Sequence, residues 1–428
     1  MARFSWGGYP ASTQRVKKLA STQSPLPKEP FLPYGLGRSY GDSCLNSQGL
    51  LLSSSHCDHF LAFDKDTGVL TCEAGVSLKM IIHHCLPLGW FLPVTPGTQF
   101  VTIAGAVAND VHGKNHQVAG SFGCFVKQLE LVRSTGERLI CSSEQNSDYF
   151  YATIGGLGLT GFITQVTLQM KRVNSHKLLV TSEKYQHLDD FFTLSDNADP
   201  GHEYQVAWLD CTATGKKLGR GHFISAKHQD DGDLTLPERR SKSVPMTSPI
   251  SLINNLSVRS FNSLYYQRQI GQRKILEQSY APFFYPLDGI ENWNRLYGKH
   301  GFLQHQCVIP KATGRDAIKS MLELIAKEKT GSFLVVLKMM GEKSSGGWLS
   351  FPMDGVTLAM DFPYRGKQTL DFLHKLDDIV NEAGGRIYPA KDANMLPATF
   401  QHAYPSWEAI EAIRDPNIAS DFWRRVTS

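Results

Sequence analysis

Two glycine-rich stretches near the start of the chain constrain its fold more than any other feature. The first reads Tyr34-Gly35-Leu36-Gly37-Arg38-Ser39-Tyr40-Gly41-Asp42, and the second is PVTPGTQFVTIAGAVANDVHGKNHQVAGSFG over residues 93–123. Glycine lacks a Cβ, so loops of this kind take positive φ and bring backbone close to a ligand. Successive free N–H groups in such turns form concavities that hold anions. Two of them in one chain suit a diphosphate clamped from both sides, and therefore a dinucleotide cofactor.

The Rossmann fingerprint does not account for them. G-x-G-x-x-G needs a strand before it, a helix after it and an acidic residue about 20 positions on. Here no third glycine falls in register, and Gly41-Asp42-Ser43-Cys44-Leu45-Asn46 is turn-rich rather than helical. The first stretch alone also admits a tight surface turn as the lesser reading. The second adds charge and titratable groups among its glycines: Asp110, His112, Lys114, Asn115 and His116.

A chain of 428 residues exceeds one ordinary core, so two domains are expected. The net charge of +4 is too small to argue for a nucleic-acid partner. No apolar run reaches the roughly 18 residues of a membrane span, and residues 1–8 lack the apolar core of a secretory leader. The eight cysteines never form C-x-x-C and lie scattered in apolar segments, which fits free thiols in a reducing cytosol and no metal site.

Local patterns give an α+β chain. Residues 10–22 read as a short helix. Leu50–Ser53, Phe60–Asp64 and Val69–Glu73 read as strands, the last two joined by an Asp66-Thr67-Gly68 turn. Ser77 caps a helix over Leu78–Leu86. Val126–Val132, Arg138–Cys141 and Ile163–Met170 follow as strands, with a helix at Asp148–Ala152. Beyond Arg172 a second sheet is expected from Val206–Leu209, Lys217–Phe223, Gln304–Ile309 and Leu334–Met339, with helices over Ala312–Lys329 and between Gly366 and Gly384. Residues 226–250 are polar, charged and proline-bearing, as in a lid or disordered loop, and limited proteolysis is expected to nick them near Arg239, Arg240 or Lys242. Ser251–Tyr280 mixes apolar and aromatic residues with Arg259, Arg268, Arg273 and Lys274. That composition fits either an amphipathic lid helix or a segment lying on anionic lipid.

The motifs GLGRSYGD (35–42), PVTPGT (93–98), DVHGKNHQVAGSFG (110–123), IGGLGLTG (154–161), GFLQHQCVIP (301–310) and AKD (390–392) resemble the vanillyl-alcohol-oxidase type of FAD-dependent oxidoreductases. Within that group they are similar to the polyprenylphosphoryl-ribose 2-oxidases, over nearly the whole chain. The resemblance implies a two-domain fold. Residues 1–172 and 385–428 would bind FAD, and residues 173–384 would form a β-sheet substrate domain capping it. It implies cofactor contacts from Gly35, Leu36, Gly37, Arg38, Ser39, Pro96, Gly97, Thr98, Gly105, Asn109, Gly113, Asn115, Gly120, Ser121, Gly161 and Ile163. Relatives with a covalent flavin carry a histidine in the first loop. Arg38-Ser39 stands here instead, so the FAD is expected to be non-covalent, with Arg38 offering a charge-assisted phosphate contact.

His112 and Lys391 are the catalytic candidates that the resemblance places at the flavin. An unperturbed histidine near pKa 6.5 suits deprotonation of a hydroxyl, and a cation at the flavin would steady the charge of its reduced form. Which of the two is the base stays open. Tyr40, Trp208, Tyr297, Gln304, Gln306 and Lys338 match substrate-pocket positions, although Trp208 and Tyr297 read equally well as core aromatics. Ala359 stands where some of these oxidases carry a flavin-facing cysteine. The implied reaction is oxidation of a sugar secondary hydroxyl, C2 of a polyprenyl-phosphate-linked pentose. It would be the first half of a 2-epimerisation completed by a short-chain reductase partner, in the cytoplasm or peripherally at the inner face of the membrane. Oxidation of a soluble alditol or aldonolactone is the alternative.

Overall fold

A computed structural model of the protein describes residues 4–237, 242–249 and 251–428. The chain first lays down a small parallel sheet in which β1 (Arg15–Lys18) and β2 (Phe31–Tyr34) flank β3 (Leu50–Ser53). The helix expected at 10–22 is thus a strand. All four residues of β1 are exposed, so a helix here has no apolar face to bury, whereas the fully buried β3 needs a second backbone neighbour.

An antiparallel sheet follows, in the order β4 (Phe60–Phe63), β5 (Val69–Glu73), β9 (Phe162–Gln169), β7 (Val126–Val132), β8 (Arg138–Cys141). The turn between β4 and β5 forms as expected, with Gly68 at φ +69° and Asp64 Oδ1 accepting from the amides of Asp66 and Thr67. Ser77 Oγ accepts from the Met80 amide at 3.2 Å and starts α1 (Leu78–Cys85). Helices α2 (Ile103–Ala108), α3 (His116–Ala119) and α4 (Ser147–Thr153) carry the second glycine stretch and the approach to the third. The ribbon of β6 (Trp90–Phe91) with β10 (Lys171–Arg172) closes this region.

The largest sheet is antiparallel, in the order β15 (Arg273–Ser279), β11 (Lys177–Tyr185), β13 (Gly221–His228), β12 (Tyr204–Leu209), β18 (Val335–Met340), β19 (Gly355–Pro363), β17 (Phe302–Pro310), β20 (Arg386–Ile387). The strand expected at Lys217–Phe223 begins only at Gly221, because Gly215 and Gly219 turn the chain at positive φ. Of the expected loop at 226–250, residues up to His228 belong to β13. Its β14 (Lys242–Ser243) pairs with β16 (Ile290–Glu291), and Arg239 and Arg240 lie outside the described residues. Ser251–Tyr280 holds α6 (Asn255–Gln267) and then β15, an edge strand that the sequence reading had not separated from the helix. The remaining helices are α5 (Leu188–Asp196), α7 (Tyr280–Phe284), α8 (Lys311–Glu328), α9 (Lys367–Glu382), α10 (Pro397–Ala403), α11 (Trp407–Ile413) and α12 (Asp421–Thr427).

Two large apolar cores organise these layers. One lies between the five-stranded sheet, α1 and α2, around Leu70, Ile81, Val107 and Val166. The other joins β2 and β3 to Phe400, Phe422 and Trp423 of α10 and α12, and continues under β17 and β19. This second core brings residues near 40, 300, 360, 390 and 425 together. The eight cysteines are free thiols, six of them fully buried.

Candidate active site

The two glycine stretches face one another across Thr102. A Cβ on Gly35 would lie 2.5 Å from Thr102 Oγ1, and one on Gly105 3.0 Å from the same atom. That hydroxyl also accepts from the Gly105 amide at 3.1 Å and starts α2. Arg38 Nε donates to the Phe100 carbonyl at 3.1 Å, and its guanidinium lies 4.2 Å over the Trp6 ring, which ties the first loop to the second. Gly37 sits at φ +61°, and a Cβ there would reach 2.1 Å from the Tyr34 hydroxyl. Beside these tight positions the space opens: a Cβ on Gly97 would touch nothing within 4 Å, and one on Gly105 would touch only Thr102. Bare backbone at Gly35–Arg38, Gly97 and Gly105, with the half-buried Arg38, fits a diphosphate-bearing cofactor.

Other expected cofactor residues have side chains committed to the loops themselves. Ser121 Oγ donates to Asp110 Oδ2 at 2.8 Å, Asn115 Nδ2 to the Pro93 carbonyl at 2.9 Å and Asn109 Nδ2 to the Gly105 carbonyl at 2.8 Å. Thr98 Oγ1 accepts from the Phe100 amide. Leu36 points to solvent, whereas Ile163 packs in the core opposite Leu131, next to Gly161. Gly120, at φ +78°, lies close against Cys124 and Lys343. Any contact these residues make with a cofactor therefore falls largely to backbone.

A third loop closes the centre. The Tyr40 amide donates to the Ala390 carbonyl at 2.9 Å, and a Cβ on Gly41 would fall 1.7 Å from the Asp392 carbonyl oxygen. Arg425 of α12 clasps both loops, donating to Asp42 through Nε at 2.9 Å and Nη2 at 2.8 Å, and to Asp392 Oδ2 at 2.8 Å. These two carboxylates hold the Arg425 guanidinium well above its usual range, against the opposing effect of its own burial. Tyr388 donates to the Asn109 carbonyl at 2.8 Å and stacks on Phe351, with ring centroids 4.4 Å apart.

The ionisable groups fall into two sets, joined by Gln304 and Gln306, which share one face of β17. Around Gln306, its Nε2 lies 2.8 Å from His112 Nε2, and Lys338 Nζ lies 2.7 Å from His112 Nδ1. Lys338 also donates to the Gly113 carbonyl. Burial, then the charges of Lys338, His116 and Lys391, hold His112 well below 6.5. Burial brings Lys338 down to about 7. At neutral pH the imidazole is therefore an uncharged proton acceptor, walled by Phe351 and Tyr388 with centroids 5.7 and 5.6 Å away.

Around Gln304, its Nε2 donates to Asp361 Oδ1 at 2.5 Å, directly across the β17–β19 register. Asp361 is missing from the sequence reading: it sits inside the apolar run Leu358-Ala359-Met360-Asp361-Phe362 with no local signature. Its Oδ2 is buried with no hydrogen-bond partner among the described residues, and so is the Tyr297 hydroxyl. Lys391 Nζ lies 3.8 Å over the Tyr40 ring. Burial pulls Lys391 down to about 8 while Asp361 pushes it back up. Burial raises Asp361 to about 7, against the Gln304 hydrogen bond and the Lys391 charge. Tyr297 stacks on Phe302 at 4.3 Å, and Phe302 meets Tyr40 edge-on at 5.4 Å. Trp208 stands one layer further out, its Nε1 donating to the Phe333 carbonyl at 3.1 Å and its ring against Tyr265. Tyr297 and Trp208 thus serve as packing aromatics. Ala359 lies on β19 opposite Gln306.

Comparison with known proteins agrees with this geometry. Residues 9–142 match the FAD binding domain family. The chain is 35% identical over 409 residues to decaprenylphosphoryl-beta-D-ribose oxidase of Mycolicibacterium smegmatis, a match covering 92% of this chain and 88% of that one. The chain belongs to the decaprenylphosphoryl-β-D-ribose oxidase family. Like that family it is a FAD-dependent oxidoreductase with the PCMH-type FAD-binding fold. A more distant relative is L-gulono-1,4-lactone dehydrogenase of Mycobacterium tuberculosis, 22% identical over 413 residues, covering 92% of this chain and 89% of that one.

Proposed function

We propose that this enzyme oxidises the C2 hydroxyl of a polyprenyl-phosphate-linked ribose to the 2-keto sugar, the first half of a 2-epimerisation. The observation that carries the reading is the pairing on β17, where Gln304 holds Asp361, the carboxylate whose charge raises Lys391, and Gln306 holds the neutral imidazole of His112. Bound FAD supplies the two-electron acceptor. The substrate hydroxyl replaces the Gln306 amide at His112 Nε2 and gives up its proton there, while its carbon-bound hydrogen leaves as hydride. Lys391, kept protonated by Asp361, steadies the negative charge that develops. Tyr40, Tyr297 and Trp208 supply the aromatic surface a sugar ring stacks on, with Gln304 and Gln306 as hydrogen-bonding groups. Lys338 at about 7 is a cation for a phosphate only when protonated.

In this reading residues 1–172 with 385–428 form the FAD-binding unit and 173–384 the cap. The second half-reaction belongs to a short-chain dehydrogenase/reductase partner that reduces the ketone from the opposite face. The enzyme works in the cytoplasm, in peripheral contact with the inner face of the membrane. The oxidised holoenzyme, mixed anaerobically with detergent-dispersed polyprenyl-phosphoribose, should bleach its flavin absorbance rapidly. Bleaching by soluble alditols or aldonolactones alone would transfer the assignment to them. FAD is held non-covalently through Arg38-Ser39, so acid precipitation should leave the yellow colour in the supernatant; colour retained on the pellet refutes this.

A further inference from the structure

The whole formal charge of the chain, +4, is matched by one short stretch. Residues 251–276 contain Arg259, Arg268, Arg273 and Lys274 and no aspartate or glutamate, so the rest of the sequence is balanced. That stretch is α6 with its flanks, and it also carries the two most exposed large apolar side chains among the described residues, Ile270 and Leu256. Leu256 is 76% exposed, Leu264 71% and Ile270 95%, with Leu252 and Phe261 exposed beside them. Leu256 and Leu264 are eight residues apart and share the outer face of the helix, with Arg259 and Arg268 one turn from each. Among the described residues none of the four basic side chains forms an ion pair with a carboxylate, whereas exposed pairs such as Arg15–Glu29, Lys367–Asp371 and Lys375–Glu328 occur elsewhere on the surface.

The face is also held rigidly. Asn254 caps α6, its Oδ1 accepting from the Leu256 and Ser257 amides, both at 3.0 Å. On the inner side Val258 and Asn262 are buried, and Asn262 Nδ2 donates to Asp210 Oδ1 at 3.2 Å and to the Ser332 carbonyl at 3.1 Å. Tyr265 packs on Trp208 at 4.5 Å, and Phe261 packs on Phe333, which in turn stacks on Tyr297. The outward stripe is therefore one aromatic layer from the group of Tyr297, Tyr40 and Lys391.

We infer that the outer face of α6 with the Ile270–Lys274 corner is a docking surface for an anionic lipid bilayer. Apolar side chains flanked by arginines, on a stretch that contributes no acid between residues 251 and 276, suit the boundary between acyl chains and negatively charged headgroups. A second copy of this chain would bring four like charges against four, which opposes self-association through this face. Resting on the reading of the substrate as lipid-linked, the surface also explains delivery: it sets the aromatic wall of the pocket at the membrane, where a polyprenyl chain resides.

The test is co-sedimentation of the holoenzyme with phosphatidylcholine vesicles, with and without phosphatidylglycerol, at low and high salt. The protein should partition onto the anionic vesicles and largely leave them at high salt. Leu256→Asp/Leu264→Asp should lower partitioning by about tenfold or more, and Arg259→Ser/Arg268→Ser should lower it several-fold and remove most of its salt dependence. Flavin content and Tm confirm that the variants fold. Absence of partitioning by the wild type, variants that partition like it, or a dimer in solution that Leu256→Asp dissociates would each overturn the inference. Flavin bleaching by detergent-dispersed substrate is read in the same variants. It persists if the docking surface alone is wrong and is absent in the wild type if the proposed reaction is wrong.

Discussion

Replacing Asp361 with asparagine tests which residue takes the proton. Asparagine keeps an oxygen for the Gln304 amide that now donates to Oδ1 at 2.5 Å, and it removes the charge that raises Lys391. With Asp361 present Lys391 titrates at about 8, so near pH 7 it is mostly ammonium. An opposite charge at close range is worth about 1–3 pKa units, on the order of 3 kcal/mol at the middle of that range. Without it Lys391 falls further below its ordinary value, and the ammonium fraction near pH 7 drops. If Lys391 acts as a cation and His112 as base, the rate of flavin reduction in Asp361→Asn falls about tenfold near pH 7 and recovers as the pH is lowered. The descending alkaline limb of the profile moves to lower pH by the same 1–3 units, roughly. If Lys391 is itself the base, the neutral amine becomes more abundant and the variant is faster on the acid side. The assay is anaerobic stopped-flow bleaching across pH, with FAD content measured in parallel. A variant faster than the wild type below neutrality, or one with an unmoved profile, refutes the division of labour drawn from the geometry.

Three further outcomes follow from the same contacts. Arg425→Ala leaves the carboxylates of Asp42 and Asp392 without their shared partner and should cost about 3 kcal/mol of stability together with FAD affinity, by chemical denaturation and flavin titration. Arg425→Lys should recover only part, since it cannot bond Asp42 through two nitrogens. Gly41→Ala forces a Cβ against the Asp392 carbonyl and should lower the apoprotein Tm, while Gly97→Ala points into open space and should leave that Tm unchanged but weaken FAD binding. Lys114 and Lys338 are both brought by burial from 10.5 to about 7, so the unfolded chain binds more protons above that pH. Their cost is fully present below pH 7 and is relieved as pH rises toward the unfolded value. Apoprotein Tm should therefore climb from about pH 7 to about pH 9, and Lys114→Met should flatten that climb.

What the sequence disclosed and what it withheld divide along a physical line. Features fixed by a few neighbouring residues were legible: the Ser77 cap, the turn at Asp66-Thr67-Gly68, and the strands around Val126 and Phe162. So were residues whose chemistry is marked by unusual neighbours, such as His112 among glycines. Features settled by distant partners were not. β1 is a strand only because β3 lacks another neighbour, and β15 is a strand only because β11 offers an edge. Asp361 gains its meaning from Gln304 and Lys391, and nothing adjacent to it in sequence points there. Ser121 and Asn115 show the same dependence: their side chains are held by Asp110 and by the Pro93 carbonyl, 11 and 22 residues away.

The Asp42–Arg425–Asp392 clasp also sets a clock. Its two ends are 383 residues apart in sequence. Closing so long a loop is thermodynamically mild, because each doubling of length adds only about 0.6 kcal/mol. In time it is not mild: at a synthesis rate of about 5–20 residues per second, the gap corresponds to roughly 20–80 seconds. Throughout that interval the first glycine loop is already made with Asp42 unmatched, and for all but its last 33 residues there is no AKD loop to lean on. FAD therefore meets a complete pocket only once α12 has been synthesised, and cofactor capture becomes one of the last events in the maturation of the enzyme rather than a nucleus around which it folds.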